Sequence, residues 1–267
     1  MRALINSVPK SGTNMLHKAL ELLGYRYAQL GIADTLLSGR FQLVRKLIRN
    51  NPLDRTKIDI GMYRQTCIGK KWIESKLGGL NDGEFITGHA GYSSEFADLL
   101  EAKHVVPILV VRDPRDVLLS HLDYFPRRRD IFLGRALTGY PQFDLNIVLN
   151  GLRDDREIIH SFRRAYERFL PWSERFPNNV FRFEDLVGPN GGGTYEGQWS
   201  QIERIAKLLG DSVTEQDIES VASRLFGGTP TFSKGQANKW KGDSLFRENE
   251  ANFRRSMGDV LAALGYQ

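Results

Sequence analysis

The chain opens with a strand, a tight turn and a helix in immediate succession. Ala3–Val8 is predicted as a short buried strand, and residues 9–13, Pro-Lys-Ser-Gly-Thr, as the turn. Apolar residues then recur at helical spacing over Asn14–Leu23, and Gly24 ends the helix. A strand that passes through a tight turn directly into a helix is typical of α/β proteins, so this segment constrains the fold class more than any other.

A second strand is predicted at Val105–Val111, whose apolar, β-branched run is typical of a parallel strand buried on both faces. The helix after it is expected to start at Pro114, with Asp113 as N-cap and Asp116 closing a capping box. Two more strands are predicted at Phe85–Thr87 and Val180–Phe183, and helices at Phe41–Asn50, Ser94–Glu101, Arg153–Arg175, Ile202–Leu209, Glu215–Leu225 and Glu250–Leu264.

This alternation predicts an α/β fold with a P-loop-like central parallel sheet flanked by helices on both faces. A single domain is expected over residues 1–267. Residues 31–84 lack clear periodicity and are interpreted as an insertion of helices and loops. Residues 188–199, which include three consecutive glycines, are interpreted as a flexible loop.

Charge and cysteine content restrict the function classes only loosely. Lys and Arg number 37 against 32 Asp and Glu, and this excess fits an anionic ligand, a nucleic acid or an anionic membrane surface. The single cysteine, Cys67, excludes an internal disulfide and a cysteine-built metal site, and is compatible with a reducing cytosol. Because the sequence has no signal-peptide core and no apolar run of about 18 residues, we expect a cytoplasmic protein.

Two segments carry groups suited to binding anions. The first turn supplies Lys10 and the N-terminus of a helix. It is not the Walker A motif of nucleotide kinases, because in G-x-x-x-x-G-K-[ST] the lysine follows the second glycine. The other segment places Arg112 at a strand end and Ser120 eight residues later. Both are expected at the carboxyl edge of the sheet. The simpler alternatives are an exposed lysine and a surface ion pair of Arg112 with Asp113 or Asp116.

A basic run near the C-terminus, Phe232–Lys241, contains three lysines, Gly235 and Trp240. It is interpreted as a loop that closes over an anion or a base. The alternative is a solvated turn whose tryptophan packs into the core.

Taken in order, these segments resemble the sulfotransferases that use 3′-phosphoadenosine 5′-phosphosulfate (PAPS). Residues 9–15 are similar to the family's P-K-[SA]-G-[TN]-[TN]-W loop, with Met15 in place of tryptophan. Residues 112–120 match R-[DN]-P-x-D-x-x-x-S at every fixed position, and residues 183–186 read Phe-Glu-Asp-Leu, like the family's aromatic-E-D-L segment. Residues 233–241 resemble R-K-G-x-x-G-x-W-K, with Ser233 in place of arginine. Each motif is short, but all four occur in family order over nearly the whole chain.

The resemblance implies in-line transfer of the sulfuryl group of PAPS to a hydroxyl, giving the bisphosphate PAP and a sulfate ester without a metal. The implied acceptor is a small molecule, a glycolipid or a secondary metabolite, with residues 31–84 on its side of the site. Lys10 would stabilise the leaving oxygen and His89 would be the base. The implied donor site comprises Lys10, Ser11, Gly12, Thr13, Asn14, Met15, Arg112, Ser120, Phe183, Phe226, Lys234 and Gly235.

The base is assigned by comparison with the family's K-T-H segment. Here the sequence reads Thr-Gly-His over residues 87–89, so the histidine is kept and the lysine is missing. His17 and His160 lie inside predicted helices and His104 precedes a strand, which favours structural or exposed roles. Other branches of the family use glutamate, so an acidic base stays an alternative.

Further departures from the family bear on the partners. Met15 stands where the family's tryptophan contacts adenine; its thioether can still pack on a base, and Phe183 or Phe226 could compensate, although either residue is more often part of a core. The family's K-x-x-x-T-V dimer signature is missing, so no oligomer is inferred. Residues 127–129, three arginines, would suit an anionic acceptor or peripheral contact with an anionic membrane. A magnesium-dependent nucleoside or small-molecule kinase and a non-enzymatic nucleic-acid-binding module are the competing functions; no nucleic-acid motif is present, and no nucleic-acid partner is expected.

Overall fold

A central sheet of parallel strands organises the chain. The computed structural model describes residues 1–33, 54–63, 65–124, 148–149, 152–153, 158–159, 161–228 and 235–266. The strands are β1 (Arg2–Asn6), β2 (Arg26–Ala33), β3 (Lys57–Asp59), β4 (Cys67–Gly69), β5 (Glu84–His89), β6 (Val105–Val111), β7 (Leu152–Arg153), β8 (Ile158–Ile159) and β9 (Val180–Arg182). In the main sheet the order is β2-β5-β1-β6-β9, with every pair parallel.

Helices connect these strands. They are α1 (Thr13–Leu22), α2 (Lys70–Gly78), α3 (Ser94–Ala102), α4 (Pro114–Tyr124), α5 (Phe162–Arg175), α6 (Phe183–Leu186), α7 (Tyr195–Leu208), α8 (Glu215–Leu225) and α9 (Ser244–Ala263). Short 3₁₀ turns lie at Pro177–Asn179, Pro189–Gly191 and Lys239–Gly242. In the described part of the chain, no helix is both long and apolar enough to cross a lipid bilayer.

The two faces of the sheet carry separate apolar cores. Leu4 points to one face and packs with Phe96 of α3, Phe169 of α5 and Phe253 of α9. Its neighbours in β1 point to the other face, and that core is completed by α1, α7 and α8. Strand side chains alternate between the faces, so an apolar strand needs helices on both sides. The predicted fold, a parallel sheet between two helical layers in a single domain, is confirmed.

Several predicted boundaries are wrong. The helix expected at Arg153–Arg175 begins only at Phe162, where Ser161 caps it, and the antiparallel β7–β8 pair precedes it. The strand expected at Val180–Phe183 ends at Arg182 because Phe183 opens α6. Strand β2 was not predicted. The expected helix Phe41–Asn50 lies outside the described residues.

Residues 188–199 are more regular than the loop expected from sequence. They contain the turn Pro189–Gly191 and the first residues of α7, which Thr194 caps. The glycines permit close packing, since a Cβ on Gly191 would lie 1.9 Å from Val187 and 2.7 Å from the carbonyl oxygen of Gly235. Mobility of this segment stays a prediction.

Candidate active site

The functional groups predicted from sequence converge at the carboxyl edge of the sheet. The turn with Lys10 follows β1, His89 ends β5, Arg112 follows β6 and Phe183 follows β9. Because these strands are parallel and adjacent, their ends meet at one edge. The topology therefore brings together residues that are far apart in the sequence.

The turn after β1 has a backbone suited to surrounding an anion. Lys10 and Gly12 both have positive φ, at 71° and 115°, and α1 begins at Thr13. A Cβ on Gly12 would lie 2.7 Å from Cδ2 of Phe183, so glycine lets that ring pack directly on the turn. The first N–H groups of α1 face this turn, as helix N-termini that bind anions do.

Lys10 lies close to Arg112 and to helix α4. Its ammonium group is 3.9 Å from the ring centroid of Tyr124, and its carbonyl oxygen accepts a hydrogen bond from Nη1 of Arg112 at 3.4 Å. Burial lowers the pKa of Lys10, and the charge of Arg112 lowers it further. Bringing two cations together without solvent is unfavourable unless an anion joins them.

Arg112 forms the ion pair with Asp116 that was one of the alternatives, but both side chains are buried and not at the surface. Its Nη2 donates to the carbonyl oxygen of Gln236 at 2.8 Å and lies 3.6 Å from Asp116. Its guanidinium group lies over the ring of Phe183 at 4.3 Å. Within the described residues, its Nε has no hydrogen-bond partner. A buried guanidinium N–H without a partner costs free energy, and an anionic ligand would remove that cost.

The turn between β6 and α4 is capped differently from the prediction. Asp113 caps the helix, since its carboxylate accepts from the backbone N–H of Arg115 at 2.9 Å. The prediction that Asp116 accepts from the backbone N–H of Asp113 is wrong. Glu184 accepts from this N–H instead, at 2.8 Å. Glu184 also accepts from the hydroxyl of Tyr266 at 2.8 Å.

Asp116 instead fixes the C-terminal loop. It accepts from the N–H of Trp240 at 3.0 Å, and the Trp240 ring lies 3.7 Å from the guanidinium group of Arg115. Burial raises the pKa of Asp116. The same loop docks on the glycine turn, where the N–H of Ala237 donates to Gly191 at 2.9 Å. Gly235 thus lies beside the arginine site, whereas Lys234 and Ser233 lie outside the described residues.

His89 is held in one tautomer by the strand next to it. Its Nδ1 lies 2.9 Å from the carbonyl oxygen of Ser7, so Nδ1 carries the proton and Nε2 the lone pair. The register supports this contact, since Asn6 pairs with Gly88, and the Asn6 side chain both donates to and accepts from the backbone of Ala90. Burial and the charge of Lys10 lower the pKa of His89, whereas the contact to Ser7 acts in the opposite direction.

The other predicted donor-site residues occupy the same region. Ser11 is buried, and Thr13 shares a 2.5 Å hydrogen bond with Ser7. Asn14 lies in the first turn of α1 and Ser120 lies on α4, and both side chains are half-buried. Met15 is 7% exposed and belongs to the same apolar core as Phe183, and Phe226 packs against that core.

Sequence reasoning missed several polar residues in and around this candidate site. Asn6, Ser7, Glu184, Tyr63 and His121 were not proposed, because their roles depend on contacts between distant segments. His121 is buried on α4, with its Nε2 3.0 Å from the Tyr63 hydroxyl. His17 and His104 lie where the sequence placed them, on α1 and just before β6; His160 lies outside the described residues.

Three solved structures with this architecture hold PAP. Mouse sulfotransferase SULT7A1 complexed with PAP aligns with 100% of this chain and 89% of its own, at 16% identity and a TM-score of 0.56. Retinol dehydratase with androsterone and inactive cofactor PAP aligns with 97% of this chain and 80% of its own, at 17% identity and a TM-score of 0.55. The complex of retinol dehydratase with retinol and PAP aligns with 97% of this chain and 81% of its own, at 18% identity and a TM-score of 0.54. No protein-family model and no curated protein sequence matches the chain. At these identities the similarity shows that the chain has the sulfotransferase fold.

Proposed function

We propose that this chain transfers the sulfuryl group of PAPS to a hydroxyl of a small-molecule acceptor. One observation carries the proposal: at the carboxyl edge of the sheet, Nη1 of Arg112 donates to the backbone carbonyl oxygen of Lys10, so the two cationic residues are neighbours. Nε of Arg112 has no hydrogen-bond partner in the part of the chain that is described. PAPS carries anionic groups at both the 5′ and the 3′ position. Two adjacent cationic sites suit such a molecule better than a ligand with one phosphate.

The residues divide between the two ends of the donor. The turn of residues 9–14, with the N-terminus of α1 and Lys10, suits the 5′-phosphosulfate. Arg112 and Ser120 suit the 3′-phosphate, with Gly235 of the C-terminal loop beside them. Phe183 packs on the turn and is suited to the adenine ring.

Sulfuryl transfer also needs a base for the acceptor proton, and the geometry of His89 suits that role. As a bond forms from the acceptor oxygen to sulfur, the bond from sulfur to the 5′-phosphate oxygen breaks, and Nε2 of His89 takes the hydroxyl proton. Because Ser7 holds the proton on Nδ1, the imidazole presents its lone pair in the required tautomer. Lys10 would stabilise the charge on the leaving oxygen.

The acceptor class is inferred from the neighbours. Retinol dehydratase is solved with androsterone and with retinol, which supports a small acceptor with a hydroxyl here too. A glycolipid acceptor, contact with an anionic membrane and cytoplasmic location stay predictions from the sequence.

Binding of PAP tests the donor site directly. With PAP at 100 times its dissociation constant in excess EDTA, the free energy of unfolding should rise by about 2.7 kcal/mol, which is about 5 °C in the midpoint of thermal unfolding for a chain this long. ATP with magnesium serves as comparator. A shift with ATP and magnesium only would refute PAP as the ligand and favour the kinase alternative.

Three substitutions then separate the proposed roles. Arg112→Gln should abolish the PAP-induced shift, and Lys10→Met should reduce that shift and lose turnover of PAPS with an acceptor. His89→Gln should retain binding of PAP but lose turnover. Lys207→Met, at an exposed lysine on α7, is the matched control and should leave both unchanged. Full turnover in the His89→Gln variant would remove this histidine from the mechanism.

A further inference from the structure

His121 is a buried imidazole that the proposed reaction does not use. It lies on α4, is 3% exposed, and packs edge-to-face against Phe162 at 5.3 Å. Its Nδ1 is 2.9 Å from the carbonyl oxygen of Val117, one turn earlier in the helix. Its Nε2 is 3.0 Å from the hydroxyl of Tyr63. The ring is therefore fixed from three sides.

These contacts determine the direction of the hydrogen bond to Tyr63. The Val117 oxygen can only accept, so Nδ1 carries the proton of the imidazole and Nε2 is a lone pair. Burial and the charges of Lys10 and His89 lower the pKa of His121 to about 3, so the ring is neutral at physiological pH. The Tyr63 hydroxyl must then donate to Nε2. Towards any further partner, the Tyr63 oxygen acts as a hydrogen-bond acceptor.

The pair lies beside both groups proposed to act in catalysis. On α4, Tyr124 is about one turn beyond His121, and the ammonium group of Lys10 lies over its ring. On the other side, the segment that leads to Tyr63 packs on the residues after His89: the N–H of Gly91 donates to Ile60 at 2.9 Å, and a Cβ on Gly91 would lie 2.2 Å from the oxygen of Gly61.

The segment that carries Tyr63 is itself fixed. Arg168 of α5 donates to the carbonyl oxygen of Gly61 at 3.0 Å and to the carboxylate of Asp59 at 2.9 Å. The hydroxyl of Tyr166, also on α5, is buried and has no hydrogen-bond partner among the residues described. Burial raises the pKa of Tyr166, and the proximity of Tyr63 raises it further. Because buried hydroxyls normally have partners, this hydroxyl near Tyr63 favours a polar ligand there.

We propose that Tyr63 and His121 form a recognition pair in the acceptor site, and that this pair selects acceptors that carry a second hydrogen-bond donor near the reacting hydroxyl. The inference rests on the proposed function, since it concerns the acceptor of that reaction. Dihydroxybenzenes are the simplest compounds of this class. Their monomethyl ethers keep one reacting hydroxyl but cannot donate from the second position.

Matched pairs of acceptors test the proposal. Catechol and 2-methoxyphenol form one pair, and resorcinol and 3-methoxyphenol the other. For each compound, calorimetry gives the Kd for the PAP-saturated protein, and PAP release from PAPS gives kcat/KM. One neutral hydrogen bond is worth about 3- to 10-fold in affinity. At least one dihydroxy compound should therefore have a Kd lower than that of its ether, and a kcat/KM higher than that of its ether, by this factor.

Two variants assign that preference to the pair. Tyr63→Phe retains the ring and loses the hydroxyl, and should bring the preference to about 1, because kcat/KM of the dihydroxy compound falls further than that of its ether. His121→Phe leaves the Tyr63 hydroxyl able to donate, and should also reduce the preference. Tyr195→Phe is the matched control, at an exposed tyrosine bonded to Glu219, and should keep it.

The outcomes separate this proposal from the function on which it rests. A wild-type preference near 1 in both pairs, or one that Tyr63→Phe leaves unchanged, overturns the recognition pair while transfer to hydroxyls stands. Binding of PAP without binding or turnover of any of the four compounds overturns it as well and leaves the donor site standing. Failure to bind PAP overturns the proposed function, and the recognition pair with it.

Discussion

The buried histidine of α4 should make the folding stability of this protein depend on pH. In the folded chain, His121 has a pKa of about 3, against an ordinary value of 6.5. Between these values the unfolded chain binds a proton at this position and the folded chain does not. The free energy of unfolding therefore rises with pH from 3 to 6.5, and below pH 6.5 acid favours the unfolded state.

The size of the effect follows from the same two pKa values. Each pH unit below 6.5 changes the contribution of His121 by about 1.4 kcal/mol, so the loss between pH 7 and pH 5 is about 2 kcal/mol. The entropy of unfolding of a chain this long is about 0.6 kcal/mol/K, so the midpoint of thermal unfolding should fall by about 4 °C from this group alone. His89, whose pKa is also lowered, acts in the same direction.

A comparison of variants isolates the contribution of His121. Thermal unfolding of wild type and His121→Phe would be followed by circular dichroism at pH 7 and pH 5. The variant is expected to be less stable at pH 7, because the Tyr63 hydroxyl loses its acceptor. From pH 7 to pH 5, however, its midpoint of unfolding should fall by about 4 °C less than the midpoint of wild type. His104→Asn, at an exposed histidine with φ of 51°, is the control and should parallel wild type. Equal pH dependence of wild type and His121→Phe would refute the reasoning.

Two further predictions concern the turn and the base. With His89 as base, kcat/KM should fall with acid through a midpoint below 6.5, because only the neutral imidazole accepts the proton and burial lowers its pKa; a midpoint above 6.5, or an acid limb that persists in His89→Gln, would contradict this. Gly12→Ala should weaken PAP binding more than about 10-fold, because the new Cβ meets Phe183 at a φ of 115°. Gly78→Ala, where a Cβ meets nothing within 4 Å, is its control, and equal PAP affinity in both would show that the turn tolerates a side chain.

Two elements were predicted from the local pattern of apolar residues. Strand β6 is apolar along its length because both of its faces are buried, and α1 has apolar residues at helical spacing because one of its faces is buried. Strand β2 was missed because it lies at the edge of the sheet, where burial on both faces is not required. It includes Arg26, Gln29 and Gly31, and its pairing with β5 is irregular between Tyr27 and Gly31.

Contacts between distant segments set the limit of the sequence prediction. Asp116 and Glu184 both lie near the N-terminus of α4, but only the fold shows that the carboxylate from 71 residues away makes the reciprocal cap. His121 was not singled out, since a histidine in a helix is common and its partner, Tyr63, is 58 residues distant. Residue types and spacing identify candidates, and the tertiary structure decides which polar group each one meets.

The assignment of His89 as base shows why register matters as much as residue type. A histidine at a strand end is a usable base only if its lone pair faces the substrate, and here the carbonyl oxygen of Ser7 determines which nitrogen carries the proton. That carbonyl is in reach because Asn6 pairs with Gly88. The Asn6 side chain donates to the carbonyl oxygen of Ala90 and accepts from its N–H, which holds the end of β5 in place. A shift of one residue would turn the histidine to the opposite face. The buried asparagine would thus support the proposed role of His89 only by positioning the strand end, and nothing in its local sequence distinguishes it from a polar residue at the end of a strand.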